Sequence, residues 1–242
     1  MALTPSTLGD QRTRVRLLLQ EPTSQYWTDV TLNAYINEAQ FDIAVGCVPT
    51  VPTGMEEPLL ATESFTEGVA GQEMYSLPPN YHGIRTVRCR LNANDTYREL
   101  PWVDVEFVRV HPQNVSGQPV PEAYFLWGES GIYQIGLYPA FISNTAVGVK
   151  ALWISYWRKP DQLSSDGDAL MIPPELHVAN TYLAAHKAWL ERSHQAEADK
   201  MLQMFNTEYT GKLAYIRRRQ INNTRAVILG VIGDTNTERS IY

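Results

Sequence analysis

The sequence predicts an α+β protein: a helical body with an inserted antiparallel β domain and an extended C-terminal arm. Apolar residues recur at helical spacing near the N-terminus and again after residue 173. Between these regions, short runs of alternating apolar and polar residues are separated by Gly, Pro and Asn, which is typical of antiparallel strands. The predicted parts are two N-terminal helices at 1–48, the β domain at 59–160, one long helix or a helix pair at 173–221, and the arm at 222–242.

Two amphipathic helices are predicted within residues 1–48. The cap of the first is expected at 4–6, and Pro22 lies just past its end. Thr28 is a good cap for the second, and Gly46 ends it. Because each helix has a single apolar face, we expect both to pack on the C-terminal helix and complete a helical body.

The β domain, 59–160, is predicted to contain six or seven antiparallel strands. Apolar and basic residues alternate over 84–91, and a tight turn makes 124–138 a hairpin. The longest strand is expected at 147–157. Residues 103–110 fit either a short helix or a strand, and a helix is preferred, since acidic residues lie near its start and a proline follows its end.

The C-terminal helix is predicted to begin at Pro173 and Pro174, because proline suits the first helical turn. An unbroken helix of ~45 residues would be ~70 Å long, more than one compact domain normally needs. A bend at Ser193 and His194 would divide it into two helices, and the sequence leaves both possibilities open. Residues 222–224, Asn-Asn-Thr, are expected to end it.

Charge is distributed unevenly along the chain. Residues 211–242 carry six basic and two acidic residues, a net charge of +4. Because the whole chain has a net charge of −6, residues 1–210 have a net charge of −10. An acidic body argues against broad nucleic-acid binding by that body. The basic end is expected to contact an acidic protein or nucleic acid. A basic end that is simply solvated is the alternative.

Composition excludes several classes of protein. No apolar run approaches ~18 residues, so no membrane span is expected. Arg12, Arg14 and Arg16 interrupt the apolar N-terminal stretch, which therefore does not match a signal peptide. Two cysteines, Cys47 and Cys89, do not make a disulfide framework, and a reduced cytosolic environment is the default.

The sequence predicts no catalytic, metal or cofactor site. It lacks the phosphate-binding, dinucleotide-binding and common hydrolase motifs. His186 and His194 lie eight residues apart, but no cysteine or carboxylate pair completes a zinc set. Asp166 and Asp168 are expected to form a turn, since the other ligands of a calcium loop are missing. The aromatic residues between 124 and 157 are expected to be mostly core, with a sugar- or base-stacking surface as the alternative.

Several short motifs follow one another in a definite order from residue 27 to residue 177. They are WTDVTLNAYINEAQ at 27–40, GQEMYSLPPNY at 71–81, GIRTV at 83–87, PEAY at 121–124, IGLYP at 135–139, YWRKP at 156–160 and IPPELH at 172–177. Each is weak alone, but in this order and spacing the chain resembles the head-to-tail adaptor (connector, or neck) proteins of tailed double-stranded DNA bacteriophages. That family has no catalytic signature to carry over.

The resemblance implies a structural protein of the virion neck, assembled in the host cytoplasm. It implies a homo-oligomeric ring of about twelve copies that binds the portal protein at the head vertex. The ring would lengthen the channel used in genome packaging and ejection, and DNA would pass without specific binding. Its other face would dock a tail protein, such as a nozzle, tail terminator or tail-completion protein.

The basic stretch and the arm are expected to contact the portal or a neighbouring subunit. An apolar, β-prone segment at 227–232 is a candidate for adding a strand to a partner, with folding back on its own β domain as the alternative. The predicted contact residues are Arg217, Arg218, Arg219, Arg225, Val227, Ile228, Leu229, Val231, Ile232 and Tyr242.

Two other functional classes remain open on the sequence alone. One is a virion-associated hydrolase, which two facing carboxylates in a β-domain cleft would favour. The other is a nucleic-acid-binding protein that uses the basic stretch at 211–225. Salt-dependent DNA binding that is lost on substitution of residues 217–219 would favour that class.

Overall fold

The computed structural model describes residues 6–21, 23, 26–46, 60–110, 120–129 and 132–233. Beyond Ile216 it describes the backbone of the last helix and, among side chains, that of Arg218. The chain divides into two compact units, one formed by Met1–Glu56 with Gln162–Tyr242 and the other by Glu57–Asp161. We call them the helical unit and the β unit. The predicted α+β class is confirmed.

The first two helices begin at threonine caps. Helix α1 spans Leu8–Leu18, and Thr7 caps it: the Thr7 hydroxyl accepts from the Asp10 N–H at 3.2 Å, while the Thr7 N–H donates to the Asp10 carboxylate at 3.1 Å. This reciprocal capping box places the cap one residue after the expected 4–6. Helix α2 spans Asp29–Val45, with Thr28 as the predicted cap and Gly46 at its end in the left-handed conformation.

The β unit contains two antiparallel sheets. The described elements are β1 Ala61–Thr66, β2 Met74–Ser76, β3 Tyr81–Cys89, β4 Arg98–Glu99, α3 Val105–Val110, β5 Ala123–Glu129, β6 Ile132–Tyr138 and β7 Leu152–Arg158. One sheet has the order β1-β7-β3-β4 and the other β2-β6-β5. The predicted antiparallel strands, the β5–β6 hairpin and the short helix α3 are confirmed. Strand β7 starts later than the expected residue 147, because Gly148 takes a positive φ of 84° in the turn before it.

The core of the β unit lies where the inner faces of both sheets meet. Val87 and Cys89 of β3, Ile135 of β6 and Ile154 of β7 are among its buried residues. Burial raises the pKa of the Cys89 thiol to about 11, so this thiol is protonated and unreactive near neutral pH.

The C-terminal helical region is two helices, which settles the alternative left open by the sequence. A 3-10 turn at Pro174–Leu176 leads into α4, His177–Glu191, and α5 spans Gln195–Gly233. Ser193 takes a positive φ of 59° between them. The chain therefore reverses at this point, and α5 packs back along α4.

Helix α5 continues through residues 222–224, so the predicted end of the helix there is wrong. Asn and Thr are weak helix formers, but each costs under about 1 kcal/mol relative to alanine. No proline occurs between residue 195 and residue 233, so nothing removes a backbone donor.

Helix α4 is the centre of the helical unit. Helices α1, α2 and α5 all pack against it, as expected for the N-terminal helices. A partly buried ion network adds polar contacts: the buried Arg16 guanidinium lies 2.6 Å from the exposed Asp29 carboxylate and 3.8 Å from the buried carboxylate of Glu21. Arg16 also donates to the Trp27 carbonyl at 3.0 Å, which ties α1 to the start of α2.

His177 joins the first residues of α4 to the segment before α1. Its Nδ1 accepts a hydrogen bond from the Ser6 N–H at 2.9 Å, so its Nε2 carries the proton and donates to the Ile172 carbonyl at 3.0 Å. Only the neutral ring fits both partners, because a proton on Nδ1 would place one donor against another, the Ser6 N–H. Burial of the ring also lowers the His177 pKa.

We expect acid to destabilise the helical unit through His177. The unfolded histidine binds a proton near pH 6.5 and the folded one does so only at lower pH, so stability falls as the pH drops below about 6.5. The loss begins near the unfolded pKa, about 6.5, and grows as the pH falls further. It is measured by urea unfolding followed by the helical circular-dichroism signal, with His177→Gln as the comparison.

The Gln variant keeps a donor but cannot ionise, so its stability should depend less on pH than that of the wild type. The pKa of His82 is also lowered by burial, but this residue is present in both proteins and cancels in their difference. Parallel pH profiles for the two proteins would contradict the assigned role of His177.

Candidate interaction surfaces

The first candidate surface is the C-terminal half of α5. The first half of this helix has one buried stripe, repeating every three or four residues, that packs on α4 and the preceding 3-10 turn. Its members are Ala198, Met201, Phe205, Tyr209, Leu213 and Ile216.

Helix α5 is longer than the segment that it packs against. Its 39 residues correspond to ~58 Å. The antiparallel partner, the 3-10 turn together with α4, begins at Pro174, and the last described buried residue of α5 is Ile216. Residues 217–233 continue the helix for ~25 Å past Ile216.

The residues predicted to contact a partner fall mainly in this extension. Positions 217–219, 225 and 227–232 belong to the backbone of α5, and the side chain described among them, that of Arg218, is exposed. Tyr242 lies outside the described residues. The three consecutive arginines occupy successive positions around the helix, at 100° intervals, and therefore do not share one face.

The predicted addition of a β-strand by residues 227–232 is not supported, since these residues are helical. A helix satisfies its own backbone hydrogen bonds and has none to offer a sheet edge. In helical geometry the apolar positions 227, 228, 231 and 232 fall on one side, as in a helix that packs on another helix. A signal for this was present in the sequence: their spacing fits period 3.6.

The second candidate surface is the outer face of the four-stranded sheet. Four cationic side chains lie over four aromatic rings on this face. The pairs are Arg85 with Trp157, Arg88 with Trp153, Arg90 with Tyr97, and Lys150 with Phe65. The aromatic residues were expected to be mostly core; instead Tyr156 and Phe125 are buried while Trp153 and Trp157 are half-buried on this face.

A third feature is a cleft of about 390 Å³ in the β unit. Aromatic and polar side chains line it, and none of the lining residues that the structure describes carries a carboxylate. Its lining is Tyr81, His82, Leu126, Trp127, Gly128, Tyr133, Gln134 and Lys159. General acid–base hydrolysis of a glycoside needs two facing carboxyl groups, and the described lining of this cleft does not supply them.

The histidines and aspartates considered as metal ligands have structural roles. His186 bonds through Nδ1 to the Ala198 carbonyl at 2.8 Å, and the His194 ring packs on Trp189 at 5.3 Å. Asp168 accepts from the Ser164 and Ser165 N–H groups, which forms the predicted turn. Within the described ranges, no three His, Cys, Asp or Glu side chains are grouped to hold a metal ion, and no helix is long and apolar enough to cross a membrane.

Comparison with known proteins identifies the family. No curated protein matches the chain. The family model described as SU10 adaptor protein matches residues 6–229, which includes both units and most of the α5 extension. This match agrees with the resemblance to phage head-to-tail adaptors that was inferred from the order of the short motifs. The chain therefore belongs to the SU10 adaptor protein family and is a bacteriophage structural adaptor.

Proposed function

We propose that this adaptor forms a ring of about twelve copies between the portal and the tail of the virion. One face of the ring binds the portal protein, and the other docks a tail protein such as a nozzle, tail terminator or tail-completion protein. The ring extends the channel through which the genome is packaged and ejected. It occupies the neck of the virion and assembles in the host cytoplasm.

The observation that carries this proposal, beside the family, is the extension of α5. A helix that continues ~25 Å past Ile216 satisfies its own backbone hydrogen bonds, so it binds a partner through its side chains. The apolar positions at 227–232 supply a stripe for helix-to-groove packing on a partner. We assign this extension to the contact with the portal or with the neighbouring subunit.

Charge supports the same assignment. The extension begins with Arg217, Arg218 and Arg219 and also holds Arg225. These cations favour an acidic docking surface, and such complementarity raises the rate of association and fixes its orientation.

The acidic remainder of the chain suits a channel that releases DNA. Residues 1–210 carry a net charge of −10. Phosphate binding grows with the number of cations presented, so an acidic wall holds DNA weakly. DNA then passes through the ring without specific binding.

Electron cryomicroscopy of the adaptor mixed with the portal from the same genome tests this proposal. The expected result is a single ring of adaptor density on one face of the portal, coaxial with its channel, with helical density from α5 at the contact. Adaptor density absent from the portal, or bound away from its axis, would contradict it.

A further inference from the structure

We propose that the outer face of the four-stranded sheet contacts an acidic region of the neighbouring copy of this chain. We call this face the cation–aromatic face; it consists of the four cation–ring pairs described above. The inference rests on the ring assembly proposed above, and it names which surface joins adjacent subunits.

The four cations are held in a fixed array. Their charged groups lie close to the ring centroids, and three of the rings contact one another: Phe65 stacks on Trp153 at 6.1 Å, and Tyr97 meets Trp153 edge-on at 5.4 Å. The distances from cation to ring centroid are 5.6 Å for Arg85, 4.7 Å for Arg88, 4.6 Å for Arg90 and 4.8 Å for Lys150. Side chains ordered before binding lose less entropy when a partner docks.

A β-bulge completes this array. Arg88 pairs with Trp153 across β3 and β7 on the outer face, while Val87 and Cys89 point to the core. In a regular strand Arg85 would share the core side with these odd-numbered residues. The register shift between Ile84 and Thr86 places Arg85 on the outer face instead, where it is exposed over Trp157.

The array is accessible to a macromolecule. Phe65 is 41% exposed, and Arg85 and Lys150 are exposed. Val147, in the loop that leads to Lys150, is 96% exposed and adds apolar surface at the same end of the sheet. Aromatic residues and arginine, which make up most of this face, are enriched in protein interfaces.

The geometry favours a protein over nucleic acid. Base stacking needs open ring faces, and here each of the four rings is covered by a cation of its own chain. Two carboxylates also lie on the face: Glu99 pairs with Arg88 at 3.3 Å, and Glu63 lines a groove with Arg85. These carboxylates repel a phosphate backbone but suit a protein surface of mixed charge with an acidic excess.

Charge complementarity points to a second copy as the partner. Residues 1–210 carry 24 acidic and 14 basic residues, so much of the surface of the chain is complementary to a cationic face. A closed ring requires heterologous contacts, in which one patch of a subunit meets a different patch of the next. The cation–aromatic face supplies one side of such a contact, and acidic surface of the next copy supplies the other.

Zero-length carbodiimide crosslinking tests the contact directly. This reagent joins amines to carboxylates in contact, and Lys150 is the amine of the face. A mixture of unlabelled and ¹⁵N-labelled adaptor, assembled on the portal, distinguishes crosslinks between copies from those within one. We expect mixed-isotope peptides joining Lys150 to an aspartate or glutamate of another copy. Their absence from rings that have formed would overturn the proposal.

Charge reversal supplies the second test. Arg85→Glu with Lys150→Glu removes two cations whose side chains make the ring contacts described and no described hydrogen bond or ion pair. We expect the adaptor concentration needed for assembly on the portal to rise about tenfold or more. The matched control, Arg98→Glu with Lys200→Glu, changes net charge equally at exposed positions outside the face and should assemble normally. Unchanged thermal unfolding establishes that both variants fold.

The outcomes separate this inference from the proposed function. If wild type and both variants form rings alike, the cation–aromatic face is not the contact, although the ring stands. If wild type forms no ring on the portal, the proposed function fails, and this inference fails with it. Binding of duplex DNA by the wild type that the face variant loses would assign the face to nucleic acid instead.

Discussion

Deletion of residues 222–242 is expected to abolish binding to the portal ring while leaving the rest of the chain folded. The described buried stripe of α5 ends at Ile216, so the deletion leaves all of that stripe in place. It also removes Arg225 and the apolar positions at 227–232. Burial of four or five aliphatic side chains is worth on the order of 5–10 kcal/mol in an interface before opposing costs, which is enough to decide whether docking occurs.

A shorter deletion is the matched control. Removing residues 234–242 leaves all of α5 and takes away the polar end with Tyr242. Binding is measured by co-sedimentation with the portal ring, and folding by circular dichroism and thermal unfolding. The longer deletion should lose binding and the shorter one keep most of it. A protein that lacks 222–242 and still docks normally would contradict the role assigned to α5.

Gly136→Ala is expected to destabilise the β unit by about 2–3 kcal/mol. Gly136 of β6 lies directly opposite Phe125 of β5, and the Phe125 ring covers it. A methyl group at residue 136 would overlap the ring carbons of Phe125, which is itself buried. The ring would have to leave its position in a packed layer, and such overpacking costs more than the small entropic gain of replacing glycine.

Gly83→Ala is the control for this effect. Gly83 also lies in a strand, and a methyl group there would meet only Trp157 at 3.8 Å, an ordinary contact. Its stability in urea should stay within about 1 kcal/mol of the wild type. The double variant Phe125→Leu with Gly136→Ala replaces the ring by a smaller side chain. It should recover part of the lost free energy of unfolding. Equal stability of the two glycine variants would contradict the packing of Phe125 on Gly136.

Hydrophobic periodicity, together with capping and turn residues, predicted most of the fold. Helical spacing and the Thr28 and Gly46 signals located α2, and strand alternation with turn residues located the β5–β6 hairpin. These features are local, so neighbouring residues determine them. The continuation of α5 through 222–224 was missed because polar residues of weak helix propensity resemble a break, although no proline enforces one.

The candidate surfaces were predicted less completely. The basic and apolar composition after residue 211 was evident from sequence, but its geometry depended on whether the helix continued. The cation–aromatic face was not foreseen, because its members come from β1, β3, β7 and the segments beside them. Only the strand order and the bulge next to Arg85 bring them onto one face, and both depend on tertiary pairing.

The most direct test of the account is the mass of the complex between this adaptor and the portal ring from the same genome. Mass photometry of the mixture measures it particle by particle. The account predicts one saturated species, heavier than the portal alone by one adaptor chain for each portal chain. A portal mass that does not increase at roughly micromolar adaptor, well above the affinity expected of a stable assembly, would contradict it.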